Sequence, residues 1–285
     1  MTLHAYPIGN TERNAKYPQQ QMTRNFSKTL CATVALLICD FAPASAADCP
    51  RKDALGTSRV LAVDPAAFPR VGLKSFPQTL PLEDREVVLT FDDGPWRATD
   101  QKILAALAQE CVRATFFLIG RAAAAQPDMV RRMAAEGHTI AHHSYAHPNL
   151  KHMKPEAAIA DIDKGIAAVE TALHGTATTR PSTPFFRFPY FEMSPPVLDA
   201  LQKRGIAVFG ADLWASDWKP MAPAQQLELL TERLQAARKG IILLHDPKAQ
   251  TAAMLPAFLR YLRENRYRVV HLVPSGAKNV SGKAQ

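Results

Sequence analysis

Short apolar runs alternating with amphipathic stretches predict an α/β fold built on a parallel sheet, open or closed into a barrel. Three observations carry that expectation. Seven strand-like runs lie at 87–92, 114–119, 138–142, 184–188, 206–211, 241–245 and 268–273. Helical patterns separate them near 100–111, 127–136, 155–174, 195–204, 223–239 and 251–265. The helical stretches are also punctuated in the right sense. Pro127, Pro155, Pro195 and Pro223 stand near their starts, where a missing N–H costs little. Gly137, Gly175, Gly205 and Gly240 follow their ends, where a left-handed cap needs no side chain.

The first 46 residues read as an export signal rather than as structure. Arg24 and Lys28 precede the apolar run 30–39, which is followed by Pro43 and the small-residue site Ala44-Ser45-Ala46; cleavage is expected after Ala46. The run falls short of the roughly 20 residues a membrane helix needs, and an uncleaved anchor is the competing reading. Met22 begins a more typical signal, so residues 1–21 read as a misplaced start or a long leading region. Residues 47–84, rich in Pro and Ala with weak periodicity, read as an extended arm. Residues 85–275 form the domain proper, and 276–285 read as a flexible tail. The expected location is periplasmic or secreted, with no stable membrane span in the mature chain.

The net charge of +8 does not point to nucleic acid. Four of the basic residues, Arg13, Lys16, Arg24 and Lys28, belong to the signal segment, offset there by Glu12 and Asp40. The remaining charge is scattered, with no basic stripe interleaved with aromatics. A basic surface suits acidic envelope polymers, although solvation alone also accounts for it. Cys31 and Cys39 would leave with the signal, so Cys49 and Cys111 remain. In an oxidising compartment these could form one disulfide pinning the arm; alternatively Cys111, at a helix end, is a small buried apolar residue. Nothing in the sequence fixes an oligomeric state.

In parallel α/β folds the site forms at the carboxyl ends of the strands, and the polar residues gather there. Asp92 and Asp93 end the first strand, His143 and His147 follow the third, and Arg187 follows the fourth. Asp212 to Trp218 follow the fifth, and His245 and Asp246 end the sixth. One carboxylate and two imidazoles make a ligand set that leaves positions open for water and substrate. The second carboxylate is then free to act as a base, since successive strand residues face opposite ways. Asp-Asp-Gly-Pro is also good turn chemistry, and paired His residues are often surface residues. Pro148, directly after His147, places that pair on a loop.

Five ordered motifs make the chain resemble the polysaccharide deacetylase family, the NodB-homology domain of carbohydrate esterases. They are Thr90-Phe91-Asp92-Asp93-Gly94-Pro95, His143-Ser144-Tyr145-Ala146-His147, Arg187-Phe188-Pro189-Tyr190, Asp217-Trp218 and Leu244-His245-Asp246, within about Glu86 to Pro274. The resemblance implies a deformed (β/α)7 barrel forming a single catalytic domain. It implies that Asp93, His143 and His147 hold a divalent metal, zinc in preference to cobalt or another transition ion. Asp92 would be the general base, oriented by Arg187. The Tyr190 N–H would help stabilise the oxyanion. His245 would be the general acid, tuned by Asp217, while Trp218 and Leu244 would wall the acetyl pocket. The implied reaction removes N-acetyl groups from N-acetylglucosamine glycans such as chitooligosaccharide, peptidoglycan or poly-N-acetylglucosamine. The alternatives are an O-acetyl esterase acting on acetylated xylan-like polymers and a catalytically silent carbohydrate-binding protein.

Three positions depart from the family pattern. His142 stands where Asn is common and reads as a packed residue rather than an extra ligand. Phe191-Glu192 follow Tyr190 where Gly is usual, which would reshape the groove floor. Trp214 replaces an acidic residue three positions before Asp217, with Asp212 two residues earlier. Trp214 could stack on a sugar or belong to the core.

Overall fold

The computed structural model describes residues 49–276. The signal segment, its cleavage site, the alternative start and all but the first residue of the tail lie outside them. In chain order the elements are β1 (Thr57–Val63), β2 (Arg70–Val71), β3 (Glu86–Asp92), α1 (Arg97–Gln109), β4 (Thr115–Leu118), α2 (Gly120–Ala125), α3 (Pro127–Ala135) and β5 (Thr139–His142). Then come α4 (Pro155–His174), β6 (Phe185–Phe186), α5 (Pro195–Lys203), β7 (Ala207–Phe209), β8 (Leu213–Trp214), α6 (Pro223–Ala237), β9 (Gly240–His245), α7 (Ala249–Glu264) and β10 (Arg268–Pro274). Short 3₁₀ turns cover Leu150–His152 and Pro189–Phe191.

Every strand pairing is parallel. β3 lies at the centre, flanked by β4 and β9; from β4 the sheet runs through β5, β6 and β7, while β9 carries β8 on its far side. β7 and β8 are successive pieces of one run, separated by three residues, that pairs with β6 at its start and with β9 at its end. The parallel sheet is consistent with the deformed barrel expected, whose seventh expected strand is β10. Strand alternation sorts the core into layers. Val88, Phe117, Ala141, Phe185 and Ile241 fill the interior, while Leu89, Phe91, Phe116, Ile242 and Leu244 pack outward with Leu230, Leu255 and Phe258 of the helices. No helix among the described residues is long and apolar enough to cross a membrane.

All seven expected strands form, and the four prolines open α3, α4, α5 and α6. The arm differs from its expectation. β1 lies beside β10, with a bulge between Thr57 and Arg59 and then an unbroken register from Arg59–Val270 to Val63–Pro274, and β2 pairs with the outer edge of β7. Gly240 is not a helix cap either. Arg238 takes the left-handed turn at the end of α6, with φ 65°. Gly240 instead opens β9, where a Cβ would stand 2.6 Å from that of Asp212. Cys49 and Cys111 are joined in a disulfide, with Cα atoms 5.9 Å apart. It fastens the start of the described chain to the turn after α1.

Candidate active site

β3 fixes the centre of the site. Asp92 is its last residue and pairs in register with Phe117 of β4 and His245 of β9. Alternation turns Thr90 and Asp92 into the barrel and Phe91 out toward the helices. There Arg187, fully buried, donates from Nη1 to Asp92 Oδ1 at 2.6 Å and to Thr90 Oγ1 at 2.9 Å. Its Nη2 donates to the Gly210 carbonyl at 2.9 Å, and its guanidinium lies 4.2 Å from the Phe117 ring centroid. Burial pulls the Arg187 pKa down, opposed by the Asp92 charge and hydrogen bond. Removing one member of such a buried pair leaves the other uncompensated, at a cost of about 3–5 kcal/mol.

Beyond Asp92 the backbone turns sharply, with Asp93 at φ 80°. Asp93 Oδ1 lies 3.4 Å from His143 Nε2 and 3.2 Å from His147 Nε2. Burial acts to raise the Asp93 pKa, but the two imidazoles beside it outweigh burial and hold the carboxyl well below its usual range. Oδ1 is buried without a hydrogen-bond partner. His143 Nδ1 stands 2.7 Å from the Arg187 carbonyl and donates to it, which leaves the Nε2 lone pair facing Asp93. A buried carboxylate oxygen and two imidazole nitrogens, all within 4.8 Å of one another, fit a divalent ion such as zinc. Asp92 Oδ2 lies 4.0 Å from His143 Nε2, beside this cluster, with its other oxygen held by Arg187.

Gly94 is dictated by what lies behind it. A Cβ there would stand 1.9 Å from Asp246 Oδ2. Asp246 and Asp100 of α1 are both fully buried; burial drives both carboxyls upward, and the neighbouring charges of Asp100 and Asp93 push Asp246 further. Asp100 also accepts from the Trp96 N–H at 2.5 Å. Sequence reasoning missed Asp100, which belongs to none of the motifs; an acid in the first turn of an otherwise apolar-faced helix was the only signal.

On the other wall, His245 Nδ1 donates to Asp217 Oδ1 at 2.7 Å, and the His245 N–H donates to Asp217 Oδ2 at 2.7 Å. Thr251 of α7 donates to the same oxygen at 2.7 Å, itself held by Gln226 of α6. Burial acts to lower the His245 pKa, but the Asp217 hydrogen bond and charge more than offset it, and the net shift is upward. Trp218 stands edge-on to His245, with ring centroids 6.0 Å apart. Tyr190 projects outward in a left-handed turn, φ 57°, its ring edge-on to His147 at 4.6 Å.

The structure therefore brings Asp92, Asp93, His143, His147, Arg187, Tyr190, Asp217, Trp218 and His245 to one end of the barrel. Leu244 is the exception. It sits one residue off the interior face and packs outward with Phe91 and the helices. Leu243, two residues before His245, shares the face of His245 and pairs in register with Trp214. Asp212 does not reach the site either. It accepts from the Leu73 N–H at 2.8 Å, Thr79 Oγ1 at 2.7 Å and the Ile241 N–H at 2.7 Å. His142 is packed, as expected: fully buried, pushed down to about 3 by desolvation, with Nε2 3.6 Å from Glu170 Oε1.

The chain is similar to known polysaccharide deacetylases. The sequence pattern described as polysaccharide deacetylase matches residues 79–209. A chitooligosaccharide deacetylase of Bradyrhizobium sp. is 36% identical over 163 residues, 57% of this chain and 71% of that protein. A peptidoglycan-N-acetylglucosamine deacetylase of Bacillus cereus is 37% identical over 139 residues; the match takes in 49% of this chain and 48% of that protein. Among solved structures, a peptidoglycan deacetylase of Bdellovibrio bacteriovorus superposes with a TM-score of 0.69 at 28% identity, covering 82% of this chain and 65% of that one.

Proposed function

Because the chain belongs to the polysaccharide deacetylase family, we propose that it hydrolyses the acetamide of N-acetylglucosamine residues in a glycan, releasing acetate and a free amino sugar. The observation that carries this reading is the convergence of two differently held groups on one cleft. Asp92 has one oxygen fixed by Arg187 and the other beside the ligand cluster, and His245 is anchored by Asp217 on the opposite wall.

Asp93, His143 and His147 would hold a divalent ion, with zinc the first candidate. Bound there, it would polarise the acetamide carbonyl and ease deprotonation of the attacking water. Asp92 then takes the proton from that water, its oxygen aimed by the Arg187 pair. The Tyr190 N–H, on the turn beside His147, supports the negative charge that develops on the carbonyl oxygen. His245, whose protonated form the Asp217 hydrogen bond and charge favour against burial, donates to the departing nitrogen. Trp218 and Leu243, rather than Leu244, would bound the acetyl methyl.

Export to the periplasm or beyond is part of the same reading. It is supported by the sequence of the N-terminal segment and by the Cys49–Cys111 disulfide, a bond that persists in oxidising compartments.

The test is acetate release from chitooligosaccharides, peptidoglycan and acetylated xylan, with and without chelator. Release from the N-acetylated substrates, abolished by chelator and restored by zinc, is expected. Asp92→Asn should keep its metal and lose roughly 10²–10⁴ in turnover. Full activity in Asp92→Asn would remove Asp92 from the role of base.

A further inference from the structure

The acid wall of the cleft continues past Trp218 into residues that the chemical steps above do not use. Trp214 stands edge-on to Trp218 at 5.7 Å between ring centroids, and Phe191, 5.9 Å from the Arg187 guanidinium, lies 6.3 Å from Trp214. Trp218 is 44% exposed and Trp214 is half-buried, so the two tryptophans form part of the cleft rim. Such a row suits the apolar faces of sugars next to the one being deacetylated.

A cation caps that row. Lys74, exposed on the arm, places Nζ 5.3 Å from the Trp214 ring centroid. Its backbone is fixed, because the Lys74 N–H donates to Ala211 O at 2.9 Å and the preceding N–H to Asp212. The carboxylate nearest in the chain to Trp214, Asp212, is committed to three donors in the arm and β9. Glu192, next to Phe191, is neutralised by Lys151 at 2.8 Å. Among the described residues that is the one ion pair made by a lysine, so Lys74 faces the groove uncompensated. Lys219, directly after Trp218, and Lys248, three residues after His245, add unpaired positive charge to the same loops.

We propose that Trp214 and Lys74 form a subsite for a sugar that neighbours the reacting N-acetylglucosamine and carries a carboxylate. This rests on the deacetylase reading above and sharpens its substrate class: an anionic strand of the peptidoglycan type is favoured over a neutral chitin-type strand. Trp214 would take the ring face and Lys74 the charge. The carboxylate could sit on the lactyl ether of the neighbouring sugar or on a stem peptide attached to it. Both present the same chemistry to Lys74.

The experiment uses the full mature chain loaded with zinc. Acetate release is measured as kcat/KM on peptide-free strands, on the same strands with the lactyl carboxyl reduced to an alcohol, on peptide-bearing strands, and on chitooligosaccharide of equal length. The readout is the preference for carboxylated over neutral substrate. It should fall about three- to five-fold in Lys74→Gln, fall further in Lys74→Glu, survive in Lys74→Arg, and weaken with added salt. Lys203→Gln, an exposed charge at the end of α5, controls for net charge. A preference in the peptide-free or the peptide-bearing arm supports the subsite and identifies which carboxylate it reads. An unchanged preference in Lys74→Glu, or an equal fall in Lys203→Gln, would overturn it. Absence of acetate from every substrate with zinc restored would instead overturn the deacetylase reading itself.

Discussion

The two walls of the cleft are built on different physical principles. The ligand wall rests on buried charge: Arg187 and Asp92 are locked together inside the barrel, and Asp93 is held ionised by two imidazoles. Its loops are also strained, with Asp93, Ser144, His147 and Tyr190 all at positive φ without being glycine. The acid wall rests on one buried carboxylate, Asp217, held by a hydrogen-bond relay from Gln226 through Thr251 on the surrounding helices and paired with His245. The first wall fixes geometry where a metal would demand it. The second fixes a proton where a leaving group would need it.

Three measurements would break or sharpen that contrast. The largest effect is expected for His143→Ala, which removes a ligand and the anchor to the Arg187 carbonyl together. Metal content and turnover should vanish in parallel, as read by elemental analysis beside an acetate assay. Retained metal with lost turnover would move His143 out of the ligand set.

Asp217→Asn should act more gently and on a different observable. With the Asp217 charge gone, the His245 pKa falls from its raised position, and His245 loses its proton at lower pH. The alkaline limb of the pH profile of kcat/KM should therefore move to lower pH while bound metal is unchanged. An unmoved limb would mean that another group supplies the proton.

The smallest effect concerns the barrel beneath both walls. His138, His142 and His271 are buried and neutral, pushed down by desolvation to about 3, about 3 and about 4 respectively. The unfolded chain takes up protons near pH 6.5 while the folded chain does not. Stability should therefore fall as pH drops below 6.5, by at most about 1.4 kcal/mol per pH unit for each group. Urea unfolding between pH 7 and 4 measures this slope, and His271→Asn should flatten it. A slope independent of that substitution would assign the acid sensitivity elsewhere.

How much of this was legible in the sequence follows from the range of the interactions involved. Strands such as β3, β4, β5 and β9 are apolar runs bounded by turn residues and can be read locally. β1 cannot: its residues alternate between exposed and half-buried, and its pairing partner β10 lies at the far end of the chain. α2, Gly-Arg followed by four alanines, has no apolar periodicity to betray it. The polar residues of the candidate site were legible because their types are chemically restrictive and their positions fall at strand ends. Leu244 was misassigned because neighbouring leucines look identical until the strand face is counted back from His245. Asp212 resembled a site residue by composition alone; its three donors come from the arm and β9, which no local pattern reveals.

The outer edge of β7 has one more consequence. A strand edge left bare presents free N–H and C=O groups that can template the addition of a strand from another copy. β2 occupies the edge of β7, and the arm around it is stitched down by Asp212. The arm is thus a guard against aggregation as well as the bearer of Lys74. A shortened chain beginning at residue 80 would uncover that edge, and its first failure would be loss of solubility rather than loss of chemistry.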